Sequence, residues 1–312
     1  MELRHLRYFV AVAEEGSFTD AAKQRLFTSQ PSLSRQIKDL EDEVGVSLIA
    51  RGPHGITLTR AGEVFLDHAR LILSRVSVAR DAARRAAQTD KAAFVVGFLS
   101  GYEPTLLAEV LGILRDELHE IEVNFRSASS PELTQGLLLG KIDVAFLRPF
   151  EPPAELAFKT IAREPLLAIL PATHALAGKA ELRLQDILGE KFIGVSRNAA
   201  PALRAAVDAF IGESGLTFDS GPEADYLPMA FTLVLSTPGV TLIPGYAKRF
   251  FPQGVVGVAI RGSPLVDLAV GYDTANTSPV LLRFLSKLDD FIAKEPFGPG
   301  EKTASHGATS LN

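Results

Sequence analysis

Residues 21–41 read A-A-K-Q-R-L-F-T-S-Q-P-S-L-S-R-Q-I-K-D-L-E, and the fold of the N-terminal third depends on how this run divides. Pro31, preceded by Ser29 and Gln30, suits the first turn of a helix, where its missing N–H costs nothing. From there Leu33, Ile37 and Leu40 recur at helical spacing as a stripe to be buried, leaving Gln30, Ser32, Ser34, Arg35 and Lys38 on the opposite face. Working upstream, Leu3, Leu6, Phe9, Val10 and Ala13 give a first helix one apolar face, and Gly16-Ser17 breaks it. Ser17 then caps a second helix carrying Phe18, Ala21, Ala22 and Leu26. Downstream, G-V-S-L-I-A-R-G-P-H-G-I-T-L-T (45–59) reads as two short strands around Gly52-Pro53-His54-Gly55.

The polar face of the third helix carries chemistry. Gln30 and Arg35 suit base edges, whereas Ser32, Ser34 and Lys38 suit phosphates. Two short helices joined by a tight turn, the second polar and basic, form a helix-turn-helix shaped for a major groove. The strand pair forms a wing whose Arg51 and His54 reach phosphates or the adjacent minor groove. A solvated helix face with no partner is the plainer reading of the charge alone. The whole-chain balance, 32 basic against 37 acidic residues, hides a split: residues 1–90 carry 13 basic and 12 acidic side chains and the remainder 19 and 25.

The run over 21–41, followed by G-V-S-L and L-T-R-A-G, resembles the LysR-type transcriptional regulators across about 60 residues. Two departures stand out. Six residues separate Ala22 from Ser29 where five are usual, and Ile49 stands where Phe is common. The resemblance implies double-stranded promoter DNA as a partner, with Pro31 joining the contact residues, and a homodimer or homotetramer built on a linker helix, with RNA polymerase a further partner. It is greatest toward the subgroup governing aromatic acid catabolism, such as phenylpropionate or benzoate degradation.

Residues 59–88 contain no Pro and one Gly, and Phe65, Ala69, Ile72, Val76, Ala79, Ala83 and Ala86 alternate in steps of four and three. That is a heptad seam on a helix of roughly 45 Å, read as a dimer contact in preference to packing within the chain. Beyond it, strand-like A-F-V-V-G-F-L (93–99), a helical pattern from Pro104 to Leu118, I-E-V-N-F-R, P-E-L-T-Q-G-L-L-L and D-V-A-F-L alternate. L-L-A-I-L-P, K-F-I-G-V, a helix over 201–213, G-V-T-L-I-P and a last helix over 278–293 continue the pattern. Such alternation implies an α/β region with parallel sheets. The resemblance implies two subdomains like those of periplasmic binding proteins, with a ligand in the cleft between them. The expected divisions are 1–58 for the winged helix-turn-helix, 59–91 for the linker helix, 92–295 for the sensor and 296–312 for a disordered tail. Within the sensor, subdomain I takes about 92–162 and 267–295, and subdomain II about 163–266.

Ligands of open α/β sheets sit at the carboxyl ends of strands, where helix N-termini point. Ser100-Gly101, Ser129-Ser130-Pro131 and Ser196-Arg197-Asn198 stand at such places, and Arg148 ends a strand with a fork for a carboxylate. Serines there also serve as plain caps, and a strand-end arginine as a surface ion-pair partner. The resemblance carries Ser100, Ser130 and Arg148 over as effector contacts. Rings able to accept an aromatic ligand include Phe98, Tyr102, Phe146, Phe150, Tyr226 and Phe231. Together these predict a small anionic or aromatic acid effector.

Catalytic constellations are missing. His119-Glu120 lacks a second histidine at zinc-protease spacing, and Gly136 to Gly140-Lys141 is one residue short of a phosphate loop, with Ile142 after it. Neither G-x-G-x-x-G nor G-x-S-x-G occurs, and the six histidines are scattered. With no cysteine, disulfides, Cys-ligated metal and thiol chemistry are excluded. No cofactor, metal or enzymatic activity is expected. No apolar run approaches the roughly 18 residues of a membrane span, and the charged N-terminus shows no signal peptide, so a cytoplasmic location is expected. The rival to a regulator is a cytoplasmic small-molecule binding protein of periplasmic-binding-protein fold with no role on DNA.

Overall fold

Ser17 and Ser29 both cap helices in the computed structural model, which describes residues 1–52, 55–87, 91–237 and 239–293. The chain divides into two units, Met1–Asp90 and Lys91–Asn312. In the first, α1 (Leu3–Glu15) ends at Gly16, whose φ of +64° is the left-handed conformation that glycine adopts at little cost. Helix α2 (Phe18–Asp20) runs directly into a π-helical segment, Ala21–Leu26. Then follow α3 (Gln30–Val44), the strands β1 (Ile49–Gly52) and β2 (Gly55–Leu58), and α4 (Arg60–Ala87). Leu6, Phe9, Ala21, Leu33, Ile37 and Leu40 meet in one core.

The six-residue spacing before Ser29 has a structural answer. The Phe27 N–H reaches back to the Ala22 carbonyl, a bond spanning five residues in place of four, and the Thr28 N–H meets the same carbonyl at 3.0 Å. The extra residue is thus absorbed as a widened turn, and both helices keep their buried stripes. The bend leaves Phe27 at φ +49° and 87% exposed. A left-handed conformation costs an L-residue roughly 1–2 kcal/mol, partly offset in glycine by its greater unfolded-state freedom. Phe27→Gly is therefore expected to stabilise the chain by about 0.5–1 kcal/mol, read by thermal unfolding, and Phe27→Ala to give no such gain.

The long helix departs from a uniform dimer seam. Phe65 packs edge-on against Phe9 with ring centroids 5.3 Å apart, and Ala69 is buried in the same core. These two heptad positions hold α4 to its own helix-turn-helix, because the three preceding helices bury their stripes only with a fourth wall. Ile72, Ala79 and Ala83 are exposed. Gln88–Asp90 and the expected tail over 296–312 lie outside the described residues.

The second unit begins with β3 (Ala92–Leu99), α5 (Glu103–Ile113), β4 (Ile121–Ala128), α6 (Ser130–Leu138) and β5 (Val144–Leu147). After β6 (Leu156–Pro171) come β7 (Glu181–Leu182), β8 (Lys191–Val195), α7 (Pro201–Glu213), β9 (Asp219–Ala224), α8 (Leu227–Ser236) and β10 (Gly239–Pro244). The chain closes with β11 (Val255–Ile260), β12 (Leu265–Asp273) and α9 (Pro279–Ala293). The strand order β4-β3-β5-β12-β6-β10-β8-β9 is parallel within β4-β3-β5 and within β10-β8-β9. Between these parallel cores β12 runs antiparallel to β5, β6 runs antiparallel to β10, and β6 and β12 are antiparallel to each other. The first part of β6 pairs with β12 up to Pro165, and Leu166 onward pairs with β10. The unit is therefore two lobes joined by β6 and β12, each lobe with its own buried clusters. Strands β5 and β10 are buried at every position, as expected where both faces are covered.

Candidate nucleic-acid interface and ligand cleft

The first turns of α3 present the expected polar face. Gln30, Pro31, Ser34, Arg35 and Lys38 line one hollow of about 560 Å³, closed at its far end by Glu41. Ser32 is exposed but off this surface, and its N–H is taken by the Ser29 hydroxyl. Arg35 and Lys38 are exposed with no ion pair among the described residues. Arg25, which with Lys23 supplies the positive charge of the preceding helical segment, is spent inside the unit. It pairs with Glu14 at 2.5 Å, and Arg70 of α4 meets the same carboxylate at 2.8 Å. Burial raises the Glu14 carboxyl, but the hydrogen bonds from Arg70 and Arg25 outweigh this and hold it below the usual range. The two strands pair antiparallel, with Arg51 opposite Ile56, as a wing. His54 lies outside the described residues. Glu41, which the sequence reading passed over, anchors this wing: its Oε1 accepts the Leu48 N–H at 2.7 Å and the Ile49 N–H at 2.9 Å.

In the second unit a cleft of about 1180 Å³ opens between the two lobes. One wall is the carboxyl ends of β3 and β4 with the start of α6, contributing Ser100, Gly101, Ser127, Ser129 and Glu132. The facing wall is the loop after β8 and the start of α8, with Asn198, Asp225, Tyr226, Phe231 and Thr232, and behind them Tyr246 and Phe250. Five expected effector residues thus share one lining: Ser100, Gly101, Ser129, Asn198 and Tyr226. Gly101 has φ +100°, and a Cβ there would approach the Tyr246 ring to 3.0 Å, so its lack of a side chain lets the lobes meet closely. The Ser100 and Ser127 hydroxyls lie 3.0 Å apart.

Two expected residues are elsewhere. Ser130 is buried, and its hydroxyl accepts the Arg148 N–H at 3.1 Å, tying β5 to α6. Arg148 is only 4% exposed and does not offer its fork to the cleft. Its Nη1 donates to the Val266 and Asp267 carbonyls at 3.0 Å each, and its Nη2 donates to the Tyr102 hydroxyl and the Glu164 carboxylate. Tyr102 in turn stacks on Tyr246 at 4.2 Å, and the guanidinium carbon lies 5.7 Å from the centre of each ring, so Tyr246, a lining residue, stands between it and the cavity. The physical reason is register: β5 delivers Arg148 beside the point where β6 and β12 cross between lobes, and Glu164 is there to neutralise it. Burial opposes the Arg148 charge, but Tyr102 and Glu164 more than restore it. The same burial pushes the Tyr246 hydroxyl up to about 12 and that of Tyr102 well above its ordinary value, so both phenols stay protonated.

Of the expected ring acceptors, Phe98, Tyr102 and Phe146 are core, Phe150 is exposed away from the cleft, and Tyr226 and Phe231 line it. Ser127, Glu132, Asp225, Thr232 and Tyr246 were missed. Only Tyr246 had a local signal, its place after the buried strand G-V-T-L-I-P. Among the described residues no group of His, Asp and Glu could hold a metal ion, and no helix is long and apolar enough to cross a membrane.

Comparison with known proteins bears on both sites. Residues 3–63 match the bacterial regulatory helix-turn-helix protein, lysR family, and residues 87–291 match the LysR substrate binding domain. The chain is 33% identical to the HTH-type transcriptional regulator AlsR of Bacillus subtilis (strain 168), over 91% of this chain and 94% of that protein. It is 34% identical to the Hca operon transcriptional activator HcaR of Escherichia coli (strain K12), over 94% and 99%. The crystal structure of full-length CbnR complexed with its target DNA superposes with a TM-score of 0.54 at 26% identity, covering 94% of this chain and all of that one.

Proposed function

Because the chain belongs to the LysR family of DNA-binding transcriptional regulators, with a helix-turn-helix and an effector-binding domain, we propose specific roles for its two sites. The face of α3 made by Gln30, Pro31, Ser34, Arg35 and Lys38 enters the major groove. Arg35 and Gln30 read base edges there, Ser32, Ser34 and Lys38 hold phosphates, and Arg51 and His54 of the wing reach the backbone alongside. The observation that carries this reading is the concave surface on which two cations with no ion pair among the described residues, an amide and a hydroxyl converge on the first turns of one helix. Two copies joined through the exposed stretch of α4 would set two such helices for two half-sites, as a dimer or a pair of dimers. The protein works by binding, not catalysis, and does so in the cytoplasm with its promoter DNA, where it can meet RNA polymerase.

The interlobe cleft is the effector site, and its apolar lining with Tyr226, Phe231, Tyr246 and Phe250 suits a ligand with an aromatic ring. Ligand binding biases the lobes toward one closure, and that bias is coupled to how the paired recognition helices sit on DNA. The test of the DNA face uses a fragment selected by the protein from a randomised pool, with a scrambled fragment as reference, at one fixed salt concentration. Arg35→Ala should weaken the selected site by ~1–3 kcal/mol and the scrambled one far less. Equal losses on both would make Arg35 a phosphate contact, and no loss would remove this face from the interface.

A further inference from the structure

The helix that carries the DNA face and the long helix meet at one peptide. The Leu48 N–H donates to Glu41 Oε1 of α3 at 2.7 Å, and the Ile49 N–H joins it at 2.9 Å. On its other side, the Leu48 carbonyl accepts the Thr59 N–H at 3.0 Å. The Thr59 hydroxyl donates to the Ser47 carbonyl at 2.8 Å and accepts the Gly62 N–H at 2.9 Å, which caps α4. Gly62 is buried against the Leu48 carbonyl, where a Cβ would stand 2.0 Å from the oxygen. Neither Thr59 nor Gly62 lines the hollow on α3.

Further along, Phe65 and Ala69 hold α4 to the same core, and Arg70 pairs with Glu14 of α1 at 2.8 Å. The long helix is thus held at two places within its first three turns, and its angle to α3 is held with it. The exposed residues Ile72, Ala79 and Ala83 then run on as an arm. Relieving the Gly62 contact would take a shift of about 1 Å, which is a tilt of about 6–12° around the Phe65–Ala69 contacts, roughly 5–10 Å along the axis. Over about 20 Å more of helix that tilt displaces the arm by about 2–4 Å, comparable with the ~3.4 Å step between base pairs.

We infer that Thr59 and Gly62 are positioning residues for DNA specificity. By holding the angle between α3 and α4 at the Leu48 peptide, they set the separation of half-sites that two copies accept, without reading a base. This rests on pairing through the exposed stretch of α4. The identity of each half-site belongs to the face of α3 and their separation to this buried joint, so substitution at the joint changes the second and spares the first.

The experiment measures binding of the full-length protein, at one fixed salt concentration, to the fragment it selects from a randomised pool. Companion fragments have one base pair inserted or removed between the half-sites, or one half-site scrambled. The unaltered protein should lose about tenfold or more on either change of spacing, because the DNA must then twist or stretch to bring both sites to the paired helices. Gly62→Ala should cut that preference below about threefold or move it to an altered spacing, while binding the fragment with one intact half-site within about twofold of the unaltered protein. Thr59→Val, which removes the hydroxyl, should act in the same direction, and Thr59→Ser should restore the original preference. Thermal unfolding establishes that each variant is folded at the assay temperature; if Gly62→Ala is not, the two Thr59 variants decide. A preference unchanged in Gly62→Ala and Thr59→Val overturns the inference. So does an equal loss on the fragment with one intact half-site, which would place the effect on the recognition face itself. Indifference of the unaltered protein to spacing, with the selected fragment still preferred to a scrambled one, overturns pairing through α4 and the inference with it, and leaves the DNA face standing.

Discussion

Glu164→Leu is expected to destabilise the chain by about 3–5 kcal/mol, because it leaves the Arg148 guanidinium buried with no counter-ion. Arg148 is 4% exposed, and its remaining partners are two backbone carbonyls and the Tyr102 hydroxyl, all neutral. For a unit of this size that loss lowers Tm by roughly 10 °C. Replacing both members, Arg148→Leu with Glu164→Leu, should recover most of it, since no charge is then left inside. The measurement is thermal unfolding of the two single variants and the double. A single variant as stable as the unaltered chain would mean that water reaches the pair. By the same reasoning, removal of Arg148 acts first on folding of the lobe junction, not on capture of a ligand.

Gly62→Ala is expected to destabilise by roughly 2–3 kcal/mol, against the sign that helix propensity alone would give. In an exposed helix the change is worth about 1 kcal/mol in favour of alanine. Here a Cβ at Gly62 would stand 2.0 Å from the Leu48 carbonyl oxygen, which is backbone and cannot swing aside. That carbonyl is already engaged, receiving the Thr59 N–H at 3.0 Å, while the Thr59 hydroxyl accepts the Gly62 N–H at 2.9 Å. The start of α4 is thus clamped to the foot of the wing, and an added methyl would pry them apart. Chemical denaturation of both proteins checks the sign. A more stable Gly62→Ala variant would show that the contact yields at little cost.

Much of the first unit was legible because its signals are local. The caps at Ser17 and Ser29, Pro31 in the first turn, and the Leu33, Ile37, Leu40 stripe are read from residues three or four apart, and the face opposite that stripe follows by geometry alone. The six-residue spacing was visible too, but not its outcome. Whether an extra residue lengthens a loop or widens a helical turn is decided by which arrangement keeps Ala21 and Ala22 in the core, and that depends on α1 and α3 together. The heptad seam shows the same limit. Its period was real, but Phe65 and Ala69 found Phe9 and their own core first.

In the second unit, alternation of strand and helix announced an α/β region, and serines before helices marked strand ends that do line the cleft. The sequence could not show that Glu132 and Glu103 turn back on their own helix starts, or that Ser127 lies beside Ser100. The latter is a matter of parallel register between β3 and β4. Arg148 is the sharpest case. Residue type and position at a strand end are the same for an arginine that binds a ligand and one that is sealed. Only the crossing of β6 and β12, which brings Glu164 from 16 residues away, separates the two. What the chain determines by itself are the elements, their buried faces and the family to which it belongs, because these follow from short-range periodicity and capping. Whether Arg148 faces the cleft or is sealed behind it was decided only in three dimensions, because it depends on which ionisable groups neutralise one another across distant strands.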